Sequence, residues 1–133
     1  LSCSIRKEML KVLSYLRSDY KQLCLTNNIK TGIGAGMSST QKEAVATKKA
    51  MSVFNYIIES SKVGFRKPEK EIYELACERL AMPCEQIVYL DDLGINLKPA
   101  RAMGMKTIKV RSERQAIADL GNILELDLVA LTK

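Results

Sequence analysis

Two adjacent carboxylates, Asp91 and Asp92, close an apolar run at residues 87–90, and Gly94 follows almost at once. An acid pair at the end of a buried strand suits a hard cation. Mg²⁺ takes oxygen ligands, usually one or two carboxylates, and fills the rest with water and substrate phosphate. The plainer alternative is a solvated turn in which Asp91 accepts a backbone N–H. Lys67 is the second candidate. It precedes Pro68, where the spacing puts a helix N-cap, and lysine is a poor N-cap. A cation there is also unfavourable by roughly a few tenths of a kcal/mol. An anion over Lys67 removes the conflict, and phosphate suits a point charge beside free helix N–H groups. A lysine that is solvated, or that pairs with Asp91 or Asp92, removes it equally well. Thr26, Asn27 and Asn28 follow a short apolar strand at 22–25. They can donate to phosphate oxygens or serve as ordinary turn residues.

Elements in alternation must position these groups. Residues 4–17 carry an apolar helical stripe of Ile5, Met9, Val12, Leu13 and Leu16. The glycine-rich stretch 29–39 lacks the spacing of a phosphate loop and reads as a surface loop. Thr40-Gln41-Lys42-Glu43 is a capping-box pattern that predicts a helix over 40–55, before a short strand at 56–59. A loop over 60–67 leads to a helix opened by Pro68, with Ile72, Leu75, Ala76 and Leu80 on its core face and Pro83 beyond its end. After Asp92, Asn96 caps a helix with Pro99 in its first turn and Gly104 at its end, and a strand follows at 106–110. Ser112-Glu113-Arg114-Gln115 caps a last helix that stops near Gly121, and the tail over 122–133 is ambiguous in type. Strand, acidic turn, helix, strand is a βαβ unit with parallel strands. The whole pattern predicts an α/β, Rossmann-like three-layer sandwich with a parallel sheet. The ends of its strands share one rim, where ligands of such sheets bind.

The chain has 133 residues, enough for a single domain over residues 1–133. Its net charge of +6 is spread among acids, and aromatics are few, so no nucleic-acid platform is expected. No apolar run is long enough to span a membrane, and no membrane partner is expected. Cys3, Cys24, Cys77 and Cys84 form no C-x-x-C, and there is no histidine. They read as small hydrophobes in a reducing, intracellular compartment, the cytoplasm first. The missing histidine also excludes Ser-His and Cys-His nucleophile pairs.

Taken together, Thr26, Lys67 and Asp91-Asp92 resemble the second, third and fourth motifs of the haloacid dehalogenase-like hydrolase superfamily. The segments VGFRKPEKEIYELA and VYLDDLGINLKPARAMGMKTIKV are similar to the phosphatase-like N-terminal domain of soluble epoxide hydrolase. They are also similar to a related domain in acyl-CoA dehydrogenase family proteins. The resemblance implies that Asp92 ligates Mg²⁺ with Asp91 alongside. It implies that Thr26, Asn27 and Asn28 bind phosphate, and that Lys67 neutralises nucleophile and phosphoryl oxygens. Many members have a second acid where this chain has Asn96, so Asn96 is expected to support the metal through water. The family's nucleophile is the first aspartate of a D-x-D motif on the central strand. Here the aspartates are Asp19, Asp91, Asp92, Asp119 and Asp127, and none forms that motif. The chain therefore reads as a domain incomplete at its N-terminus, without the central first strand and the cap. As a function, this means a fragment of a Mg²⁺-dependent phosphatase-like hydrolase acting on a small phosphorylated substrate, inactive alone. The alternative is a non-catalytic module whose remnant site binds an anion, or whose open sheet edge recruits a strand, homodimerisation being one form.

Overall fold

A computed structural model describes residues 6–27 and 52–133. The first helix, α1 (Lys7–Leu16), turns Val12 and Leu16 fully inward. It has no side-chain cap of its own. Instead the Glu113 carboxylate accepts the Met9 N–H at 3.0 Å. Strand β1 (Leu23–Thr26) pairs in parallel with β2 (Tyr56–Glu59), with Thr26 opposite Glu59. A single helical turn, α2 (Ser60–Val63), stands where a loop was expected. Then come α3 (Lys70–Leu80), a 3-10 turn (Cys84–Gln86) and β3 (Val88–Asp91). The remainder is α4 (Gly94–Ala102), β4 (Lys106–Lys109), α5 (Glu113–Leu124) and a closing 3-10 turn (Val129–Thr132). Strands β3 and β4 are parallel, with Asp91 opposite Lys109.

Period-two alternation along β3 builds the sandwich. Val88 and Leu90 pack with Val12, Leu16, Ile108, Ile117 and Leu120 against the α1/α5 layer. Ile87 and Tyr89 pack with Ile58, Ile72, Tyr73 and Ala100 against the α3/α4 layer. The α/β sandwich with parallel strands is thus as expected. Among the described residues the strands form two pairs, β2–β1 and β3–β4, with no ladder between β1 and β3.

Several boundaries move, each for a local reason. The Lys67–Pro68 peptide is cis, and residues 66–69 close a tight turn in which Glu69 N–H donates to the Arg66 carbonyl at 2.7 Å. Helix α3 therefore begins after Glu69, its N-cap, and Lys67 is not at a cap. Helix α4 begins earlier than expected, with Leu93 as N-cap, because the Asp91 carboxylate accepts the Leu93 N–H. Asn96 is thus its third residue and Pro99 lies in its second turn. The chain reverses at Gly104 (φ +102°), a left-handed position that glycine adopts without steric cost. Residues 52–55 are turn rather than helix, and Asn28, the glycine-rich stretch, the Thr40 capping box and Cys3 lie outside the described residues.

Cys24 is buried and disulfide-bonded, which corrects its reading as a reduced thiol; spacing alone cannot separate a buried thiol from a bridged one. Cys77 and Cys84 are free. No helix among the described residues is long and apolar enough to cross a membrane.

The Ser112 capping box forms as expected, with Gln115 N–H donating to Ser112 Oγ at 3.1 Å. The helix it starts runs past Gly121. That glycine is not a terminator. A Cβ there would stand 2.6 Å from the Leu126 carbonyl oxygen, so the returning tail packs directly on bare backbone. Gly121→Ala must push the tail off α5, and a loss of about 1–3 kcal/mol is expected. Urea denaturation of the two chains measures it; an unchanged or raised midpoint would contradict the packing account.

Candidate functional site

The C-terminal ends of β1 and β3 and the turn before α3 meet at one rim. Asn27, one residue beyond β1, grips the main chain of Lys67 on both sides. Its Oδ1 accepts the Lys67 N–H at 2.7 Å, and its Nδ2 donates to the Lys67 carbonyl at 3.0 Å. So held, the Lys67 side chain runs inward, 6% exposed, and its Nζ donates to Asp91 Oδ2 at 3.0 Å. The pairing of Lys67 with an acid, one alternative left open by the sequence, is what the structure shows.

Asp91 is the centre of this network. Its Oδ2 also accepts from the Tyr89 hydroxyl at 2.5 Å and from Asn96 Nδ2 at 3.3 Å. Its Oδ1 accepts the Leu93 N–H at 3.0 Å. Tyr89 reaches it because residues two apart on a strand share a face. Tyr73 completes the support: its hydroxyl donates to the Asn96 carbonyl at 2.6 Å, and its ring meets Tyr89 edge-on at 5.6 Å. Burial pushes the Asp91 carboxyl up, but the Tyr89 hydroxyl, the Leu93 N–H and Lys67 together outweigh it and hold the group at about 2. Burial, then the Asp91 hydrogen bond, keeps the Tyr89 hydroxyl protonated far above its ordinary range. Burial likewise raises Tyr73 to about 12.

The other candidates are placed differently. Asp92 is exposed, and Asn28 lies outside the described residues. Asn96 is buried and its Nδ2 donates to Asp91. Thr26 is 2% exposed, and its Oγ1 has no hydrogen-bond partner among the described residues. It alternates with Leu23 and Leu25, so it points away from the face on which they pack. The structure therefore joins Asn27, Lys67, Asp91 and Asn96, and leaves Thr26 and Asp92 outside that hydrogen-bonded set. Sequence reasoning missed Tyr89 and Tyr73. Alternation from Asp91 back to Tyr89 was the available signal; nothing local marks Tyr73 as its partner.

A sequence model of the family described as haloacid dehalogenase-like hydrolase matches residues 4–110. The chain belongs to that family. Bifunctional epoxide hydrolase 2 of Rattus norvegicus is 34% identical over 124 residues, which are 90% of this chain and 21% of the relative. The chain thus spans about a fifth of that relative's length. Among solved structures, a predicted HAD-like family hydrolase of Porphyromonas gingivalis aligns with a TM-score of 0.69 at 22% identity, covering 91% of this chain and 58% of the other. A HAD family enzyme of Bacteroides thetaiotaomicron aligns at 0.61 and 21% identity, covering 82% and 55%. That structure is an aspartate-to-alanine mutant in complex with magnesium and inorganic phosphate.

The depressed carboxyl of Asp91 makes part of the stability pH-dependent. A group whose folded pKa lies below its unfolded value stabilises fully above the unfolded value, 3.8, and loses that contribution as pH falls toward about 2. A shift of this size is worth about 2 kcal/mol. Asp91→Asn removes the titration and leaves Lys67 unpaired. The stability gap between parent and variant, from urea melts, is expected to be constant from neutral pH to about 4 and to shrink by about 2 kcal/mol on going to pH 2. A gap that stays flat across that range would show that Asp91 does not carry the linkage.

Proposed function

We propose that this chain supplies the phosphate-facing part of a Mg²⁺-dependent phosphatase-like hydrolase acting on a small phosphorylated substrate. The observation that carries the reading is the joining of Asn27, Lys67 and Asp91 at the strand ends, together with a buried Thr26 hydroxyl at the end of β1 that has no partner among the described residues. A buried hydroxyl left unpaired costs about 1–3 kcal/mol. A phosphoryl oxygen satisfies it. The Lys67 ammonium supplies positive charge at the same rim, and its main chain is already fixed by Asn27.

The acid pair fits Mg²⁺ unevenly. Asp91 Oδ2 already accepts from Lys67, Tyr89 and Asn96, and Oδ1 from Leu93, whereas Asp92 is exposed. Asp92 would hold the ion, with Asp91 orienting the turn that presents it. When bound, Mg²⁺ neutralises phosphoryl oxygens and orients them. The magnesium and phosphate complex of the Bacteroides thetaiotaomicron enzyme supports this choice of ligands. This chain contains no D-x-D pair. On this reading it binds phosphate but forms no aspartyl-phosphate by itself.

Two measurements test the proposal. With p-nitrophenyl phosphate and Mg²⁺ the chain is expected to show no turnover; turnover that disappears in Lys67→Ala would overturn its inactivity. With inorganic phosphate and Mg²⁺ the melting temperature is expected to rise. Thr26→Val keeps the shape and removes only the hydroxyl, which has no partner among the described residues, so it should fold at least as well as the parent and show a several-fold weaker response to phosphate. No phosphate-dependent shift in the parent chain would reject the site.

A further inference from the structure

We propose that Cys77 and Cys84 form a reversible intramolecular disulfide, a redox modification site at the junction of α3 and β3 that is closed by a small disulfide of the glutathione class. Their Sγ atoms stand 2.8 Å apart. That is well inside ordinary contact between sulfurs, and about 0.8 Å longer than the covalent bond. Both thiols are free and both are half-buried, so an oxidant can reach them. Neither belongs to the network around Asp91.

Local structure holds the pair in place. Cys77 lies in the last turn of α3 and Cys84 opens the 3-10 turn before β3. Between them the chain reverses through Ala81 in the left-handed region (φ 56°). The Met82 N–H donates to the Cys77 carbonyl at 3.3 Å, and the Ile87 N–H to the Cys84 carbonyl at 3.0 Å. Both side chains pack on the cluster of Ile72, Tyr73 and Ala76, which keeps them facing each other. Closing the bond therefore asks for a sulfur displacement smaller than a bond length.

The exchange balances as two substitutions. The Cys84 thiolate attacks one sulfur of the oxidant; a bond forms at Cys84 Sγ, the oxidant's own S–S bond breaks, and one thiolate leaves and takes up a proton. Cys77 then loses its proton to solvent, attacks Cys84 Sγ and expels the second thiol. Two protein thiols are oxidised and one external disulfide is reduced to two thiols. Burial, followed by the contact with Cys84, pushes the Cys77 thiol up to about 12. The closed bridge ties the end of α3 to the entry of β3. Tyr73 lies one helical turn before Cys77 and buttresses Asn96, so the bridge stiffens the helix behind the rim.

The test uses the whole chain in graded ratios of reduced to oxidised glutathione, quenched with iodoacetamide and mapped by mass spectrometry without reduction. The expected result is a peptide joining Cys77 to Cys84, lighter by two hydrogens, with loss of alkylation at both sites and recovery of both with dithiothreitol. The melting temperature rises on oxidation, and Cys77→Ser and Cys84→Ser each abolish the cross-link and the rise. Alkylation of both thiols at every ratio, separate glutathione adducts on each, or bridging to Cys3 or Cys24 instead would overturn the proposal. If a serine variant does not fold, phenylarsine oxide decides on the parent chain. Uptake mapped to Cys77 and Cys84 and blocked by prior oxidation supports the pair; no uptake there rejects it.

Discussion

The buried ion pair between Lys67 and Asp91 is the constraint that the rest of the rim answers. Removing both charges from water costs several kcal/mol per ion, and one contact at 3.0 Å does not offset that alone. The fold adds three further donors to the same carboxylate: the Tyr89 hydroxyl, the Leu93 N–H and Asn96 Nδ2. They come from the strand itself, from the turn after it and from the first turn of α4. Strand, turn and helix each bring a proton for Asp91. The carboxylate is thereby kept ionised, and the turn at residues 91–93 is locked in the form that leaves Asp92 outside.

Twin acids in a sequence look equivalent, and here they are not. Strand alternation sends Asp91 to the face shared with Tyr89, where it is 8% exposed and saturated with donors. Its neighbour falls just past the strand and faces solvent. Division of labour between adjacent identical residues follows from a single step along a pleated backbone. The inner acid organises the turn and the outer one is exposed.

Much of this was legible from residue types. The strand at Tyr56–Glu59 and the Ser112 capping box appear where the pattern put them, because each depends on a few neighbouring residues. The convergence of Asn27, Lys67 and Asp91 was readable from parallel strands sharing one rim. Other features were not legible, because distant contacts decide them. Pro68 looked like a helix start, yet the turn over 66–69 delays α3 to Lys70. Asn96 looked like a cap, yet Asp91 fixes the Leu93 N–H, Leu93 becomes the N-cap and Asn96 falls inside the helix. Gly121 looked like a stop, yet it makes room for the Leu126 carbonyl. Nothing near Tyr73 in the sequence hints that its hydroxyl will brace the Asn96 carbonyl.

Lys67 is attached to the fold at both of its own ends. Its main chain is clasped from the β1 side by Asn27, and its ammonium is anchored on β3 by Asp91. Since no ladder joins β1 to β3 among the described residues, this one side chain acts as a tie rod across the seam between the two strand pairs. An anion that draws the ammonium away from Asp91 slackens the rod as it binds. On the proposed reading, part of the anion's binding free energy is spent on that exchange, which lowers its affinity without reversing the net stabilisation that binding brings.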